Sequence, residues 1–383
     1  MSVTAPAGFR AAGVAAGLKA SGGLDVALVL NDGPLDVVAV VLTSNRVQAA
    51  PVVWTRQVCA DGRLRAVLLN SGGANACTGP DGFADTHASA EAAAGALGVS
   101  AADVAVASTG LIGVRLPMPA LLAGVTAAAR QLRLDGGVDA AEAIRTTDTV
   151  AKTATAEVDG CTVGGMAKGA GMLAPGLATM LVVLTTDAVV DGARLDRALR
   201  TATRLSFDRL DSDGCMSTND TVLLLASGAS GAAPGPGVLE AAVLEVCTDL
   251  ARQLLADAEG ASKEVRVDVV GAASEDDALE VARAVARSNL LKCALRGADP
   301  NWGRALAAIG TTGAAFDPDV LDVAFNGVTV CRGGAAGEDR ALVDLTGREV
   351  TITVDLHAGV AAAWVLTNDL TEAYVHENSA YSS

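Results

Sequence analysis

The chain has 383 residues and a formal net charge of -16, because 44 acidic residues outnumber 28 basic ones. Such an acidic surface repels phosphate backbones and anionic lipid headgroups, so nucleic-acid binding and membrane-surface binding are disfavoured. Hydrophobic residues make up 51% and aromatic residues only 3%. This composition excludes a mainly disordered chain and predicts an aliphatic core, in two domains or in one large α/β unit with a smaller companion.

Hydrophobic runs and turn residues predict the order of strands and helices. Runs rich in leucine or β-branched residues predict strands, and alanine-rich or amphipathic segments predict helices. The predicted strands are 24–30, 36–42, 63–69, 180–184, 221–225, 264–270, 320–332 and 349–356. The predicted helices are 85–97, 116–132, 238–256 and a segment near 276–290. Strand groups separated by helices of this length indicate an α/β fold.

Domain boundaries and localisation follow from the same reading. We expect a main α/β domain over residues 1–262 and a smaller α/β C-terminal domain over 263–383. Residues 227–237 have the composition of a linker or a surface loop. The uncharged stretches 169–186 and 221–239 are interrupted by glycine and proline, so neither is expected to span a membrane. The first residues show no basic cluster followed by an apolar segment, so we expect a cytoplasmic protein.

Scarce residue types argue against several common chemistries. Seven cysteines form no CxxC pair and three histidines form no HExxH motif, so a zinc site is disfavoured. The odd number of cysteines fits free thiols in a reducing compartment. The sequence contains neither GxSxG nor GxxxxGK[ST], which disfavours a Ser-His-Asp hydrolase and an ATP-binding loop. We expect neither a metal nor a cofactor.

Two glycine-containing segments are candidates for chemistry. In Gly164–Asp187, glycines let a ligand approach the backbone and Lys168 adds a cation; a surface loop with a solvated lysine is the alternative. Thr179 begins a buried-looking strand there. Its hydroxyl can become a nucleophile if the preceding peptide bond is cut, since its own amine then serves as base; an ordinary strand threonine is the alternative. The Thr109 hydroxyl and Gly110 N–H can donate to an oxyanion or form an ordinary turn.

Together these segments resemble the ornithine acetyltransferases of arginine biosynthesis, also called glutamate N-acetyltransferases or the ArgJ family. The likeness begins at residues 8–19 and covers nearly the whole chain in order. Its further segments are NSGGANACTG, STGLIG, TTDT, KGAGMLAPGLATML, STNDT, EGASK, DPNWGR and the closing ENSAYSS. The resemblance implies a layered α/β fold of the kind shared by the DmpA and ArgJ enzymes, with a smaller α/β C-terminal domain.

The resemblance also implies a self-cleaving acetyltransferase. Scission between Ala178 and Thr179 would give an α chain of residues 1–178 and a β chain of residues 179–383. Thr179 would then take the acetyl group from N2-acetyl-L-ornithine and pass it to L-glutamate. Acetyl-CoA as a second donor, which would make the enzyme bifunctional, stays open. The cleaved chains are expected to associate as an α2β2 heterotetramer.

Individual roles are carried over by motif. The resemblance implies that Thr109 and Gly110 form an oxyanion hole. The implied substrate contacts are Thr146, Lys168, Thr179, Glu259, Asn378 and Ser383. A cation such as Lys168 can pair with a substrate carboxylate, and Glu259 can pair with the ornithine ammonium. The chain departs from the family pattern in having APGLAT for HPNMAT, CMSTNDT for DTSTNDT, and Ser-Ser for a final Thr-Thr.

Two other functions stay open on the sequence. A self-cleaved aminopeptidase of the same scaffold would hydrolyse a small peptide rather than acetylate glutamate. A non-catalytic amino-acid-binding subunit would bind glutamate without transferring acetyl groups. Assays with and without glutamate, together with binding calorimetry, separate the three.

Overall fold

The computed structural model describes residues 2–172 and 180–380. These residues form two compact units. Unit 1 contains the described residues up to 208 together with 215–254, and unit 2 contains 209–214 and the described residues from 255 onwards. Strands and helices alternate along the chain, which confirms the predicted α/β class.

Unit 1 contains two sheets. Its strands are β1 (Phe9–Val14), β2 (Val26–Asn31), β3 (Val37–Leu42), β4 (Ala66–Asn70), β5 (Val104–Ser108), β6 (Lys152–Val158), β7 (Cys161–Lys168), β8 (Leu181–Thr186) and β9 (Thr221–Ala226). The first sheet has the order β1-β2-β4-β5, and its β4–β5 pair is parallel. The second has the order β3-β9-β8-β7-β6, and its β8–β9 pair is parallel.

The two sheets of unit 1 share an aliphatic core. Val29 and Val67 of the first sheet belong to the same buried cluster as Val183 and Leu223 of the second. The other face of the first sheet packs against α2 and α3, among the helices α1 (Ala50–Val58), α2 (Gly79–Leu97), α3 (Met118–Arg130), α4 (Gly137–Ala143), α5 (Gly192–Leu205) and α6 (Val238–Ala256). Each fully buried valine or leucine contributes about 1.5–3 kcal/mol, so many small aliphatic contacts replace the missing rings.

Strand β7 departs from the sequence prediction. Residues 164–168 were expected in a glycine-rich loop, but they form the end of this strand. A Cβ at Gly164 would lie 2.4 Å from the backbone oxygen of Ser2. Glycine at this position therefore permits a close approach between two backbones, rather than a turn.

Unit 2 is built on one sheet with the order β13-β12-β11-β14-β10-β15. Its strands are β10 (Glu264–Ala272), β11 (Asp322–Phe325), β12 (Val328–Arg332), β13 (Ala335–Ala336), β14 (Glu349–Asp355) and β15 (Ala361–Asn368). Its helices are α7 (Glu275–Ala286), α8 (Asn289–Arg296), α9 (Trp302–Ile309) and α10 (Glu372–Ala380). Buried valines of β10 and β14 and alanines of α7 form its core.

Two predicted elements of unit 2 are each divided. The helix expected near 276–290 ends at Ala286, and α8 begins after Ser288, whose side chain accepts a hydrogen bond from the Leu291 N–H. The strand expected at 320–332 is the β11–β12 hairpin, because Asn326 and Gly327 both adopt positive φ. Such a pair forms the tight turn that connects antiparallel strands.

Within the described residues, the helices all lack the combination of length and apolar character that crossing a bilayer requires.

Candidate active site

Polar residues meet at one edge of the second sheet of unit 1. Lys168 is the last residue of β7 and pairs with Leu181, the first residue of β8. Leu181 in turn pairs with Thr221, the first residue of β9. Met180 and Asp220 directly precede those two strands. The strand register therefore brings Lys168, Met180 and Asp220 to the same edge.

Thr109 and Gly110 form a tight turn after β5. The Thr109 N–H donates to the Asn70 carbonyl at 3.0 Å, and the Thr109 carbonyl accepts from the Gly73 N–H at 3.0 Å. Gly110 has a φ of +132°, and a Cβ there would lie 2.8 Å from Gly73 Cα, so glycine is required. Among the described residues, the Thr109 hydroxyl and the Gly110 N–H donate no hydrogen bond. Two adjacent unused donors can bind one oxygen that develops negative charge.

The loop before β9 holds this turn in place. Asn219 donates through Nδ2 to the Ala74 carbonyl at 2.6 Å and to the Ser108 carbonyl at 2.8 Å. Ser108 Oγ donates to Asn70 Oδ1 at 2.5 Å. The motifs STNDT and STGLIG, each a weak signal alone, are therefore parts of one hydrogen-bonded assembly.

Lys168 lies beside the Thr109 hydroxyl. Its side chain is 1% exposed, and its Nζ donates to Thr109 Oγ1 at 3.0 Å. The bond occupies an acceptor position of the hydroxyl and leaves the hydroxyl proton for another oxygen. The alternative of a solvated lysine in a surface loop is wrong for this residue.

Asp148 connects Lys168 to its surroundings. Asp148 Oδ1 accepts from Lys152 Nζ at 2.6 Å and from the Gly169 N–H at 2.7 Å, and Oδ2 accepts from the Thr146 N–H at 3.1 Å. Asp148 and both lysines are buried. Burial opposes ionisation, but the charges of Lys168 and Lys152 and these hydrogen bonds outweigh it and lower the pKa of Asp148 to about 2. The carboxylate is therefore ionised at neutral pH.

Asp220 is the second buried carboxyl at this edge. Its Oδ1 accepts from the Met180 N–H at 3.0 Å, while Oδ2 has no hydrogen bond of good geometry. Burial raises the pKa of Asp220 well above its ordinary value, and the Met180 N–H, the charge of Lys168 and the nearby hydroxyls of Ser217 and Thr43 offset only part of the rise. One site thus contains a carboxyl whose pKa is lowered and another whose pKa is raised, an arrangement that can separate acid and base roles.

The structure brings together four of the residues predicted from the sequence, namely Thr109, Gly110, Lys168 and, through Asp148, Thr146. Ala178, Thr179 and Ser383 lie outside the described residues. The sequence reasoning did not assign roles to Asp148, Lys152 or Asp220. The signal for two of them was present, because Asp148 and Asp220 belong to the quoted motifs TTDT and STNDT.

The other two predicted residues, Glu259 and Asn378, meet within unit 2. Asn378 Nδ2 donates to Glu259 Oε2 at 2.8 Å. Glu259 also lines a cavity of about 280 Å³. The cavity has a polar lining composed of Ser212, Asp213, Glu259, Arg287, Asn289, Lys292, Asn368, Asp369, Leu370 and Tyr374. Charges of both signs in a cavity of this size can bind a zwitterionic amino acid.

Lys292 and Asp211 are two of the buried charged residues of unit 2. Lys292 Nζ donates to the Ser212 carbonyl and, at 3.1 Å, to Thr367 Oγ1. Burial lowers the pKa of Lys292 to about 8, against the attraction of neighbouring aspartates. Burial raises the pKa of Asp211 to about 6, although Arg287 Nε donates to its Oδ2 at 2.8 Å. Asp211 Oδ1 has no hydrogen-bond partner.

Metal-binding groups are absent from the part of the chain that the structure describes, since no three His, Cys, Asp or Glu side chains there are placed to hold an ion. The groups around Lys168 suit acyl transfer. They combine the Thr109 hydroxyl and the Gly110 N–H, which donate no hydrogen bond within the described residues, with the buried Lys168 ammonium and the Asp220 carboxyl.

Comparison with known proteins defines the family. Residues 10–383 match the model of the ArgJ family. The arginine biosynthesis bifunctional protein ArgJ of Streptomyces coelicolor is 66% identical over 383 residues, with both chains covered completely. The protein of the same name from Thermobifida fusca is 63% identical over 383 residues, again with complete coverage of both. The solved ornithine acetyltransferase of Mycobacterium tuberculosis, complexed with ornithine, is 64% identical over 45% of this chain and 94% of its own, with a TM-score of 0.45.

The chain belongs to the ArgJ family. The resemblance read from the sequence is confirmed, and with it the class of enzyme, an acyltransferase of arginine biosynthesis.

Proposed function

We propose that the protein transfers the acetyl group of N2-acetyl-L-ornithine to L-glutamate through an acetyl-Thr179 intermediate. The observation that carries the proposal is the pair of unused donors on Thr109 and Gly110 beside buried Lys168, in a chain of the ArgJ family. The ornithine complex of the M. tuberculosis relative supports an ornithine-derived substrate.

The reaction begins with self-cleavage. The Thr179 hydroxyl attacks the Ala178 carbonyl carbon, the peptide C–N bond breaks, and an ester replaces it. The hydroxyl proton passes to the Thr179 nitrogen, which becomes a free α-amine. Water then hydrolyses the ester, which leaves a carboxylate on Ala178 and restores the Thr179 hydroxyl. This amine is the general base of the mature enzyme.

Acetyl transfer proceeds in two steps. The Thr179 hydroxyl gives its proton to the α-amine and attacks the acetyl carbonyl of acetylornithine, while Thr109 and Gly110 donate to the oxyanion. The proton passes to the departing amine, and ornithine leaves. The glutamate amine then attacks the acetyl ester and releases N-acetylglutamate. One amide replaces another, so we propose that the reaction requires no metal and no cofactor.

Substrate binding uses charge pairs. Lys168 pairs with the substrate carboxylate and Thr146 contributes a further contact. Glu259, which accepts a hydrogen bond from Asn378, pairs with the ornithine ammonium. Ser383 completes the proposed set. The relatives' description as bifunctional supports acetyl-CoA as a second acetyl donor.

We further propose an α2β2 heterotetramer of cleaved chains located in the cytoplasm. The seven cysteines, all within the described residues, form no disulfide bond, and reduced cysteines persist in a reducing compartment.

The test compares the wild-type protein with Thr179→Ala and Thr179→Ser. On a denaturing gel the wild type should give two bands, and N-terminal sequencing of the second chain should begin TMLVV. Thr179→Ala should remain intact and inactive, whereas Thr179→Ser keeps a hydroxyl and should retain part of both reactions. Acetyl exchange by Thr179→Ala, or acetyl release from acetylornithine that is independent of glutamate, would contradict the proposal.

A further inference from the structure

The hydrogen bonds of Asp148 extend beyond one ion pair. Its two oxygens accept from Lys152 Nζ, from the Gly169 N–H directly after Lys168, and from the Thr146 N–H. These donors come from the start of β6, the end of β7 and the loop before β6. The Asp148 carboxylate therefore holds the backbone at Thr146 and next to Lys168, the two residues of this region that are proposed to contact substrate.

Because Lys152 and Lys168 are buried, the negative charge of Asp148 acts strongly on both ammonium groups. Lys152 is 0% exposed and Lys168 is 1% exposed, and a buried ammonium without a counter-charge tends to lose its proton. The attraction between Lys168 and Asp148 also keeps Asp148 ionised. The charge of Asp148 affects Thr109 through Lys168, because the Lys168 Nζ donates to Thr109 Oγ1 at 3.0 Å. The Asp148 charge and this hydrogen bond act on the same ammonium, and electrostatic interactions of both kinds are stronger in a low-dielectric interior than in water.

We propose that Asp148 is a positioning residue that keeps the Lys168 ammonium protonated and directed at the Thr109 hydroxyl. It touches no reacting atom. Its effect reaches the oxyanion through the lysine, so its removal weakens the donor that Thr109 offers to the transition state. The inference rests on the proposed acetyl transfer.

The experiment uses Asp148→Asn, with Asp187→Asn as the matched control. Asp187 is also buried, and its oxygens accept from the backbone N–H groups of Ala7 at 2.9 Å and Thr162 at 2.7 Å. It follows β8 at the opposite end from Met180, so it shares the loss of charge but not the connection to Lys168. Asp148→Asn should lower kcat about 10–100-fold, the usual cost of removing a supporting hydrogen-bond partner. Asp187→Asn should keep kcat within about threefold of the wild type, because a remote change lacks the link to the site.

The pH profile separates this role from a structural one. The charged or titratable groups that interact with Lys168 include Asp148, Lys19 and Asp220, and Lys152 pairs with the same Asp148 carboxylate. Loss of the Asp148 charge favours deprotonation of Lys168, so the high-pH decline of kcat should move to lower pH in Asp148→Asn. Lys152→Met removes a like charge, so the decline should move to higher pH. Asp187→Asn should leave it in place.

The two hypotheses fail in different ways. Absence of acetyl exchange in the cleaved wild-type protein would overturn the proposed function. With an active wild type, the role of Asp148 is overturned if Asp148→Asn loses no more kcat than Asp187→Asn, or if its high-pH decline does not move. Where Asp148→Asn folds or cleaves poorly, Lys152→Met decides, and an unshifted decline in that variant overturns the proposal.

Discussion

Both units bury a lysine near aspartates, yet the pKa of the aspartate is lowered in unit 1 and raised in unit 2. In unit 1, two ammonium groups lower the pKa of Asp148 to about 2. In unit 2, burial prevails and raises the pKa of Asp211 to about 6. Two features differ between the sites. Two ammonium groups attract Asp148 and both of its oxygens accept hydrogen bonds, whereas within the described residues Oδ1 of Asp211 accepts none. Nearby opposite charges therefore bring the pKa of a buried carboxyl below its ordinary value only where they and its hydrogen bonds together outweigh burial.

The largest effect on stability is expected when the buried ion pair of Asp148 and Lys152 in unit 1 is removed. Asp148→Ala removes the carboxylate of the buried ion pair with Lys152 and should lower the unfolding free energy of unit 1 by about 3–5 kcal/mol. Urea unfolding can be followed through Trp54 after Trp302 and Trp364 are replaced by phenylalanine. Asp187→Ala, which strands backbone N–H groups but no ammonium, should cost about 1–3 kcal/mol. Equal losses of unfolding free energy in the two variants would contradict an added cost of removing the Asp148–Lys152 ion pair.

The second prediction concerns the group to which each buried lysine donates its hydrogen bond. Lys292 donates to the Ser212 carbonyl and to the Thr367 hydroxyl, whereas Lys168 donates to the Thr109 hydroxyl, which has its proton left for a substrate oxygen. Thr109→Val removes that hydroxyl and should lower kcat about 10²–10³-fold, the usual cost of one oxyanion donor. Steady-state acetyl exchange measures it.

Thr55→Val is the matched control for the hydroxyl. Thr55 is buried and bonds both the carbonyl and the N–H of Val106 at 2.7 and 3.0 Å. It should lose stability but keep its kcat. A similar fall in kcat for both variants would show that packing, rather than the Thr109 donor, supports transfer.

The third prediction concerns acid stability of unit 2. The folded pKa of Asp211 is about 6 and its ordinary value is 3.8, so the folded state takes up the proton first. Stability should therefore rise as the pH falls through 6, by about 1 kcal/mol between pH 7 and pH 5. Trp54→Phe protein, whose remaining tryptophans belong to unit 2, reports this in urea titrations. Asp211→Asn should remove the rise; its persistence would assign it to another group.

The smallest expected effect is a shift in the pH at which Asp211 takes up its proton. The Arg287 charge and hydrogen bond both lower the pKa of Asp211, though less than burial raises it. Arg287→Gln should therefore move the acid-induced rise to higher pH without abolishing it. Arg340→Gln, an exposed arginine beside Asp299, should leave its midpoint unchanged. A shift to lower pH in Arg287→Gln would contradict the ion pair.

The sequence predicted those parts of the site that depend on local motifs. Thr109, Gly110 and Lys168 could be assigned because each belongs to a recognisable segment. Asp148 and Asn219 could not, because their contacts depend on tertiary structure. Asp148 bonds Gly169 across 21 residues, and Asn219 bonds Ser108 across 111. Strand β7 was missed for a related reason, since Gly164 and Gly165, which lie within the strand, look like turn glycines in a sequence.

The order of the second sheet determines what the proposed cut can do. Strands β3, β6 and β7 precede Ala178 in the chain, while β8 and β9 follow it, and the order is β3-β9-β8-β7-β6. Strands of the later piece are thus enclosed on both sides by strands of the earlier one. Hydrogen bonds of the sheet hold the two pieces together after the covalent link is lost, and they separate only if the sheet unfolds. Folding of the intact precursor is unimolecular, whereas reassembly of separated pieces is a bimolecular reaction whose rate depends on concentration.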